Sequence, residues 1–360
     1  AVWLLDIPSI KRGRSSTLEQ LLAGEATVRI RDNAGLLNKA NPLSPLHADL
    51  GERLHPIRLT GTILGRYTFP LYYGWVVDIE WTPTRRGRGI ATLSCVDLFW
   101  WLDQTRPTIA STGATTTGAA IGLILDACGW IGDRYRDLDA GDSIPDFSAD
   151  GSKTGTQLIA DLRAAERGTF YHRADGIARY EQHTARALKP VVASIANEMK
   201  AAVPSIDQRN VFNQVVVKRT QNGYVATADD ATSQTKRGVR AYPTIETPYC
   251  NADAAADSLA SAVLAIVKQP RPPLRNLAID SRTYQLYYQC LALDFGDKIQ
   301  VAEADGNTAG TFHVESIEHV VDSGRRHSTA YTLSQASTTV PFVIGASQLV
   351  TAAPGDGFVF

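Results

Sequence analysis

The sequence is poor in the residues that mark several protein classes. Its four cysteines, Cys95, Cys128, Cys250 and Cys290, lie far apart and include no C-x-x-C pair. That spacing argues against a zinc knuckle or a disulfide-stapled scaffold and predicts small, buried, apolar side chains. No run approaches the roughly 18 apolar residues that a membrane-spanning helix needs. The opening AVWLLDIPSIKRGR places its apolar residues before its charges, the reverse of a signal peptide, so a soluble product made in the cytoplasm is expected. Met199 is the one methionine, and Ala1 is expected to follow initiator removal or trimming. A formal net charge of −1 lacks the basic excess of a dedicated nucleic-acid binder. Phosphate loops and nucleophile elbows are missing as well: ADGSKTGTQ lacks the Gly-Lys-Ser/Thr order, and GRGIATLS lacks the third glycine.

What the chain does have is ordinary globular composition, 44% apolar and 20% charged, over a length of 360 residues that suits several domains. Residues 1–23 read as an N-terminal arm carrying Lys11-Arg12-Gly13-Arg14 and a short helical turn around Leu18 to Leu22. From residue 24 the side-chain period is two. Thr27–Arg31, Pro56–Gly61 and the hairpin Gly74–Val96 supply strands, so 24–105 is expected to be a first β-barrel, completed by strands from 205–250. In that hairpin Trp75, Val77, Ile79 and Trp81 are expected on one apolar face, with Val76, Asp78 and Glu80 opposite. The tryptophans at 75, 81, 100 and 101 are read as core. Asp97 is a candidate N-cap for a short aromatic helix.

Residues 106–190 change character. AAIGLILDACGW and TGTQLIADLRAAERG read as two helices closed by Gly129 and Gly168, and TFYH and IARY as a hairpin across Arg173-Ala174-Asp175-Gly176. This is a small α/β domain. Residues 251–270 read as a linking helix stopped by Pro270-Arg271-Pro272-Pro273, 271–335 as a second β-barrel, and 336–360 as an extended C-terminal tail. The fold class is therefore α+β, mostly β, with two β-barrels flanking a small α/β domain.

Few residues suggest chemistry. His313, Glu315 and His319 would share one strand face at period two, and two imidazoles with a carboxylate are a zinc-ligand set. A solvated or interfacial face is the plainer reading and the one adopted, so no metal and no cofactor are expected. EADGNTAG resembles a calcium loop, but counting from Asp305 places Ser316 where the bidentate glutamate belongs. Asp137, Asp139 and Asp142 lie in a Gly-containing loop and suit turns. Arg85, Arg86 and Arg88 crowd the hairpin tip, where guanidinium forks could meet a partner's carboxylates or a phosphate backbone.

The run G-x-A-T-V-R-I-R-D-N-A-G, the hairpin F-P-L-Y-Y-G-W-V-V-D-I-E with A-T-L-S-C-V-D-L-F-W-W-L, and R-P-P-L-R-N-L-A-I-D followed by L-D-F-G-D-K-I resemble tail-hub or minor tail proteins of tailed bacteriophages. Within them, Gly74–Ile79, Val96-Asp97-Leu98 and Leu125–Gly129 match the recurring pieces. The resemblance implies a non-enzymatic hub subunit, a homotrimer whose six barrels ring the tail axis, joining a sixfold tube to a threefold tip and lining the DNA conduit. It implies as partners the tail tube or distal tail protein, tip or fibre proteins and the tape measure protein. DNA would pass without specific binding, and the protein would be assembled in the host cytoplasm and reside in the virion tail. On this reading the α/β domain lies outside the ring, and Arg85, Arg86 and Arg88 meet a neighbouring protein. Related tail proteins often carry a peptidase or wall-hydrolase module after the last barrel; none is expected after Leu333, and a lytic role is not expected either. The alternative is a tail-associated hydrolase or metal enzyme acting on the host envelope, which needs His313, Glu315 and His319 to bind metal.

Overall fold

The computed structural model describes residues 3–4, 8–14, 22–44, 47, 54–84, 89–132, 135–196, 201–204, 211–268, 274–280, 283–302, 309–321 and 327–336. The chain opens with β1 (Trp3–Leu4), β2 (Ser9–Gly13), β3 (Leu22–Asp32), β4 (His55–Ile63), β5 (Tyr67–Pro83) and β6 (Gly89–Val96), followed by α1 (Leu98–Gln104). The α/β unit runs through β7 (Thr108–Ile109), β8 (Thr115–Thr116), α2 (Thr117–Ala127), β9 (Arg136–Leu138), β10 (Ser143–Ile144), β11 (Ala149–Asp150), α3 (Gly155–Glu166), β12 (Thr169–His172), β13 (Ala178–Glu181) and α4 (His183–Leu188). Then come β14 (Val191–Ala196), β15 (Ala201–Pro204), β16 (Gln214–Arg219), β17 (Val225–Asp229), α5 (Ala231–Arg237), β18 (Ile245–Thr247) and α6 (Asp253–Val267). The last elements are β19 (Leu274–Asp280), α7 (Tyr284–Ala292), β20 (Lys298–Ala302), β21 (Ala309–Val321) and β22 (His327–Gln335).

Both β blocks belong to one curled sheet in the order β15-β19-β22-β21-β2-β3-β6-β5-β4, with β1 beside β3 and with β20 between β14 and β21. Two lobes are distinguishable by their cores. Ile10, Ala26, Val28, Tyr72, Val76, Leu93 and Cys95 fill the first. Ile195, Leu277, Ile279, Leu286, Cys290, Ile299, Val314, Ile317, Tyr331 and Leu333 fill the second. The lobes meet at the pairing of β2 with β21. Following the pair directions from β14 through β20, β21, β22 and β19 shows that β14 and β15 run the same way. Parallel neighbours need a crossover of about ten or more residues, so strands four residues apart in sequence cannot lie side by side. β14 instead pairs with β20 and β15 with β19, on different edges of the second lobe.

Local chemistry explains the helices. Asp97 accepts from Phe99 N at 3.0 Å and starts α1. Thr154 and Gln157 form a reciprocal capping box that starts α3. Gly129, at φ +82°, follows the end of α2 in a conformation that costs glycine little. Leu98, Leu102, Ile121, Ile124, Leu158, Leu162, Phe170 and Tyr180 form the core of this unit, and α1 contributes to it while also lying against β3 of the first lobe. The four cysteines are buried and none is in a disulfide.

Several segments differ from expectation. Residues 9–13, read as part of a free arm, are an internal strand between β3 and β21. Arg12 within the strand and Arg14 just beyond it are buried because each has an acidic partner more than 280 positions away. The strands of 205–250 do not complete the first lobe. They make a separate sheet, β17-β16-β18, covered by α6 through Val215, Val217, Ala226, Leu259, Val263 and Val267, so 251–270 is a packed helix more than a linker. On β5, register shifts between Val76 and Asp78, a bulge that reverses the faces: Val76 is buried and Val77 exposed. Of the expected tail, Ala336 is buried and donates its N–H to Thr311 O at 2.8 Å. Residues 337–360 and the turn around Leu18 lie outside the described residues.

Candidate functional site, an ionic seam joining three parts of the chain

On β2, Ser9 and Lys11 are exposed while Ile10, Arg12 and, just beyond the strand, Arg14 turn inward. Arg12 Nη2 lies 2.5 Å from Asp294 Oδ1, and its Nη1 donates to the His172 carbonyl at 3.4 Å. Asp294 also accepts from Ala174 N at 3.1 Å. Two residues on, Arg14 Nε donates to Glu315 Oε2 at 2.8 Å, while Arg186 of α4 donates from Nη2 to Oε1 at 2.6 Å. The Ser334 hydroxyl donates to the same Oε1. Phe295 has both guanidinium groups over its ring, at 5.7 Å for Arg14 and 6.0 Å for Arg186. Alongside, Tyr171 Oη donates to Glu181 Oε1 at 2.7 Å, Lys189 pairs with Glu181, and Lys298 Nζ donates to Ala187 O at 3.1 Å. The N-terminal strand, the α/β unit and the second lobe are thus tied by charge at one place.

Burial alone would raise the Glu315 carboxyl, but Arg14 and Arg186 overcome it and hold the group down at about 2. Asp294 is likewise held below the usual carboxylate range: burial opposes this, and Arg12 with the amides of Ala174 and Phe295 prevails. Burial, then Arg186, pushes the His313 imidazole down to about 3. With its oxygens taken by Arg14, Arg186 and Ser334, the Glu315 carboxylate positions the segments it joins.

The His313, Glu315, His319 set does not come together as a ligand group. Register on β21 shifts between Val314 and Ser316, making Glu315 a bulged residue. Val314 and Ile317 both enter the second core, so His319 shares their face and His313 points the other way, toward Arg186. His319 instead pairs with His327 at 3.0 Å. Among the described residues no group of three or more His, Cys, Asp or Glu is placed to hold a metal ion. Arg85, Arg86 and Arg88 lie outside the described residues, as does the stretch 303–308 of the calcium-like turn. Asp137 and Asp139 pair with Arg179 at 2.9 and 2.8 Å, a structural use.

The tryptophans are not simply core. Trp75 meets Trp101 and Trp130 at ring-centroid distances of 5.7 and 5.5 Å, and all three are half-buried where β5 meets the α/β unit. Sequence reasoning singled out Glu315 and the run Lys11-Arg12-Gly13-Arg14 but missed that they meet. The available signal was the alternation of Ile10, Arg12 and Arg14 with Ser9, Lys11 and Gly13, which has the period of a strand.

No protein-family model matches the sequence, and no curated protein matches it. Solved structures do. A tail protein from Neisseria meningitidis superposes with a TM-score of 0.61 at 13% identity, covering 92% of this chain and 95% of the other. The 43 kDa tail protein of prophage MuSo2 from Shewanella oneidensis gives 0.60 at 14% identity, covering 93% and 94%. An E. coli component of the type VI secretion system, structurally similar to the T4 bacteriophage tail proteins gp27 and gp5, gives 0.51 at 9% identity, covering 94% and 75%. The fold is that of phage tail proteins and of hub-like type VI components.

Proposed function

We propose that this chain is a structural hub subunit of a phage-type tail, a homotrimer that joins a sixfold tail tube to a threefold tip and surrounds the DNA conduit in the virion tail. The observation that carries the reading is likeness in fold to tail proteins over nearly the whole length of both chains. Two β lobes with separate cores in one sheet support it, because two lobes in each of three chains supply six units for a sixfold ring. The α/β unit faces outward in this arrangement, since an inserted unit is tolerated best at a surface. Its partners are the tube or distal tail protein, tip or fibre proteins and the tape measure protein, and DNA passes without being gripped.

Imaging of native tails tests the assignment: three copies around the axis are expected, and a single copy per tail would refute it. Arg85, Arg86 and Arg88 serve the interface with a neighbouring protein. Replacing all three with Ser is expected to block tail assembly and leave the isolated chain folded. Normal tails that fail only in DNA delivery would reassign the arginines to the conduit.

A further inference from the structure

The two lobes are joined by a short pairing, Ile10 with His319, Lys11 with Glu318, Arg12 with Ile317 and Gly13 with Ser316. Buried imidazoles crowd this joint. His319 is 2% exposed, and its Nδ1 lies 3.0 Å from His327 Nε2 and 3.2 Å from Thr329 Oγ1. The two rings stack at 5.1 Å. Such a contact requires one ring to donate and the other to accept, so it is lost when both rings carry two protons. His172, whose carbonyl accepts from Arg12, is 5% exposed, with Nε2 lacking a partner and its ring edge-on to Tyr73 and Trp130.

The groups facing the joint can be named element by element. β2 supplies Arg12, β22 supplies His327 and Thr329, α7 supplies the Tyr287 ring against His327, and β12 supplies His172. Two carboxyls face Arg12: Asp294, already engaged at 2.5 Å, and the buried Asp97, which shares the space beside Gly24 with the Arg12 side chain and which burial raises to about 7, with Tyr72 next to it. Glu318, paired in register with Lys11, is exposed on the opposite face.

We propose that this histidine cluster is an acid-sensitive latch, and that its protonation parts β2 from β21 and uncouples the two lobes while each keeps its own core. A proton on His319 or His172 adds positive charge beside Arg12, where Asp294 is already engaged and Asp97, raised to about 7, loses its own charge as pH falls. Each lobe has its own apolar core, so the joint can open without opening either core.

Burial holds His319 and His172 down at about 3 and His327 at about 4, with His327 and then Arg12 adding to the effect at His319. Because the folded values lie below the ordinary 6.5, the joint is intact above that pH and weakens as pH falls through the window from 6.5 toward 4. Each imidazole that titrates on opening multiplies the opening equilibrium about tenfold per pH unit within that window.

Hydrogen exchange of the full chain at pH 7.5 and 5.0, corrected for intrinsic rates, tests the latch. Peptides covering 8–14 and 316–321 are expected to lose protection about 30-fold or more at pH 5.0, while 91–96 and 214–219 keep theirs. Unchanged protection at the joint overturns the proposal, and so does equal loss everywhere, which is global acid unfolding. The double variant His319→Gln, His327→Gln is expected to flatten the pH dependence. If it fails to fold, His327→Gln alone is expected to reduce the slope by about tenfold per pH unit, and an unchanged slope in a folded variant refutes the role.

Discussion

Replacing Glu315 with Gln would remove one charge and almost no volume from the centre of the seam. The carboxylate is fully buried, its partner side chains at Arg14 and Arg186 are 0% and 8% exposed, and the contacts are 2.8 and 2.6 Å. An amide can still accept one hydrogen bond, but it leaves two guanidinium groups facing each other without the carboxylate between them. Breaking a buried pair by removing one partner costs about 3–5 kcal/mol. With an unfolding entropy of about 2.1 cal/mol/K per residue, a 360-residue chain unfolding as one unit would lose about 4–7 °C in Tm. Urea unfolding followed by tryptophan fluorescence, beside a thermal scan, measures both. Lys153→Ala is the control, because its pair with Asp161 is 54% and 36% exposed and such pairs contribute about 0–1 kcal/mol. The wild type also carries a pH signature. Glu315 is depressed to about 2, so its contribution is present above the ordinary 4.5 and is lost as pH falls toward 2, whereas the variant lacks that limb. A loss within 1 kcal/mol of the control would refute the view that Glu315 organises the seam.

Three further substitutions probe other parts of the fold. Gly74→Ala would drive a methyl into the Val96 carbonyl and the Tyr72 ring, and a loss of about 2 kcal/mol or more in urea unfolding is expected; a neutral result would mean β5 and β6 are less closely packed than they are here. Gly122→Ala, in the interior of α2 with Leu138 Cδ1 at 3.8 Å, should instead gain up to about 1 kcal/mol from helix propensity, and a loss would contradict the open space there. Asp97→Asn keeps an N-cap of equal quality and removes a carboxyl that burial raises to about 7. A raised acid costs stability as pH climbs from 3.8 through 7, so the variant should be the more stable protein at pH 8 and lose that advantage near pH 4, read from unfolding midpoints at both values.

The elements were legible because their signals are local. Thr154 with Gln157, Asp97 before its aromatic helix, Gly129 after α2 and the Asp175-Gly176 turn each announce a boundary within a few residues, and the structure uses all of them. Faces were less legible, and two single residues account for it. The bulges at Val77 and Glu315 are consequences of pairing with β6 and β22, and nothing in the strands' own composition marks them. Past each bulge the inward and outward residues exchange, which sends Trp75 to an aromatic cluster and separates His313 from His319. Partner choice was the least legible of all. The strands at Gln214–Arg219 and Val225–Asp229 were visible, yet whether they close the first lobe or stand alone under α6 depends on surfaces far away in sequence.

The basic run Lys11-Arg12-Gly13-Arg14 shows why distance in sequence decides such cases. Taken locally, cations on a short segment suggest solvent. Placed between β3 and β21, they set the register: Arg12 and Arg14 face inward with Ile10, and each finds one acid, Asp294 or Glu315. A slip of one residue would turn Lys11 and Gly13 inward, leave both acids without their guanidinium partners and remove Ile10 from the first core. Buried ion pairs contribute little net stability, but mispairing them is costly, so they discriminate between registers better than apolar contacts of similar size. A strand that must join two lobes and an α/β unit at one defined alignment gains from that discrimination. The same charges create the proton sensitivity of the joint, because imidazoles packed beside Arg12 are tolerated there only in the neutral form.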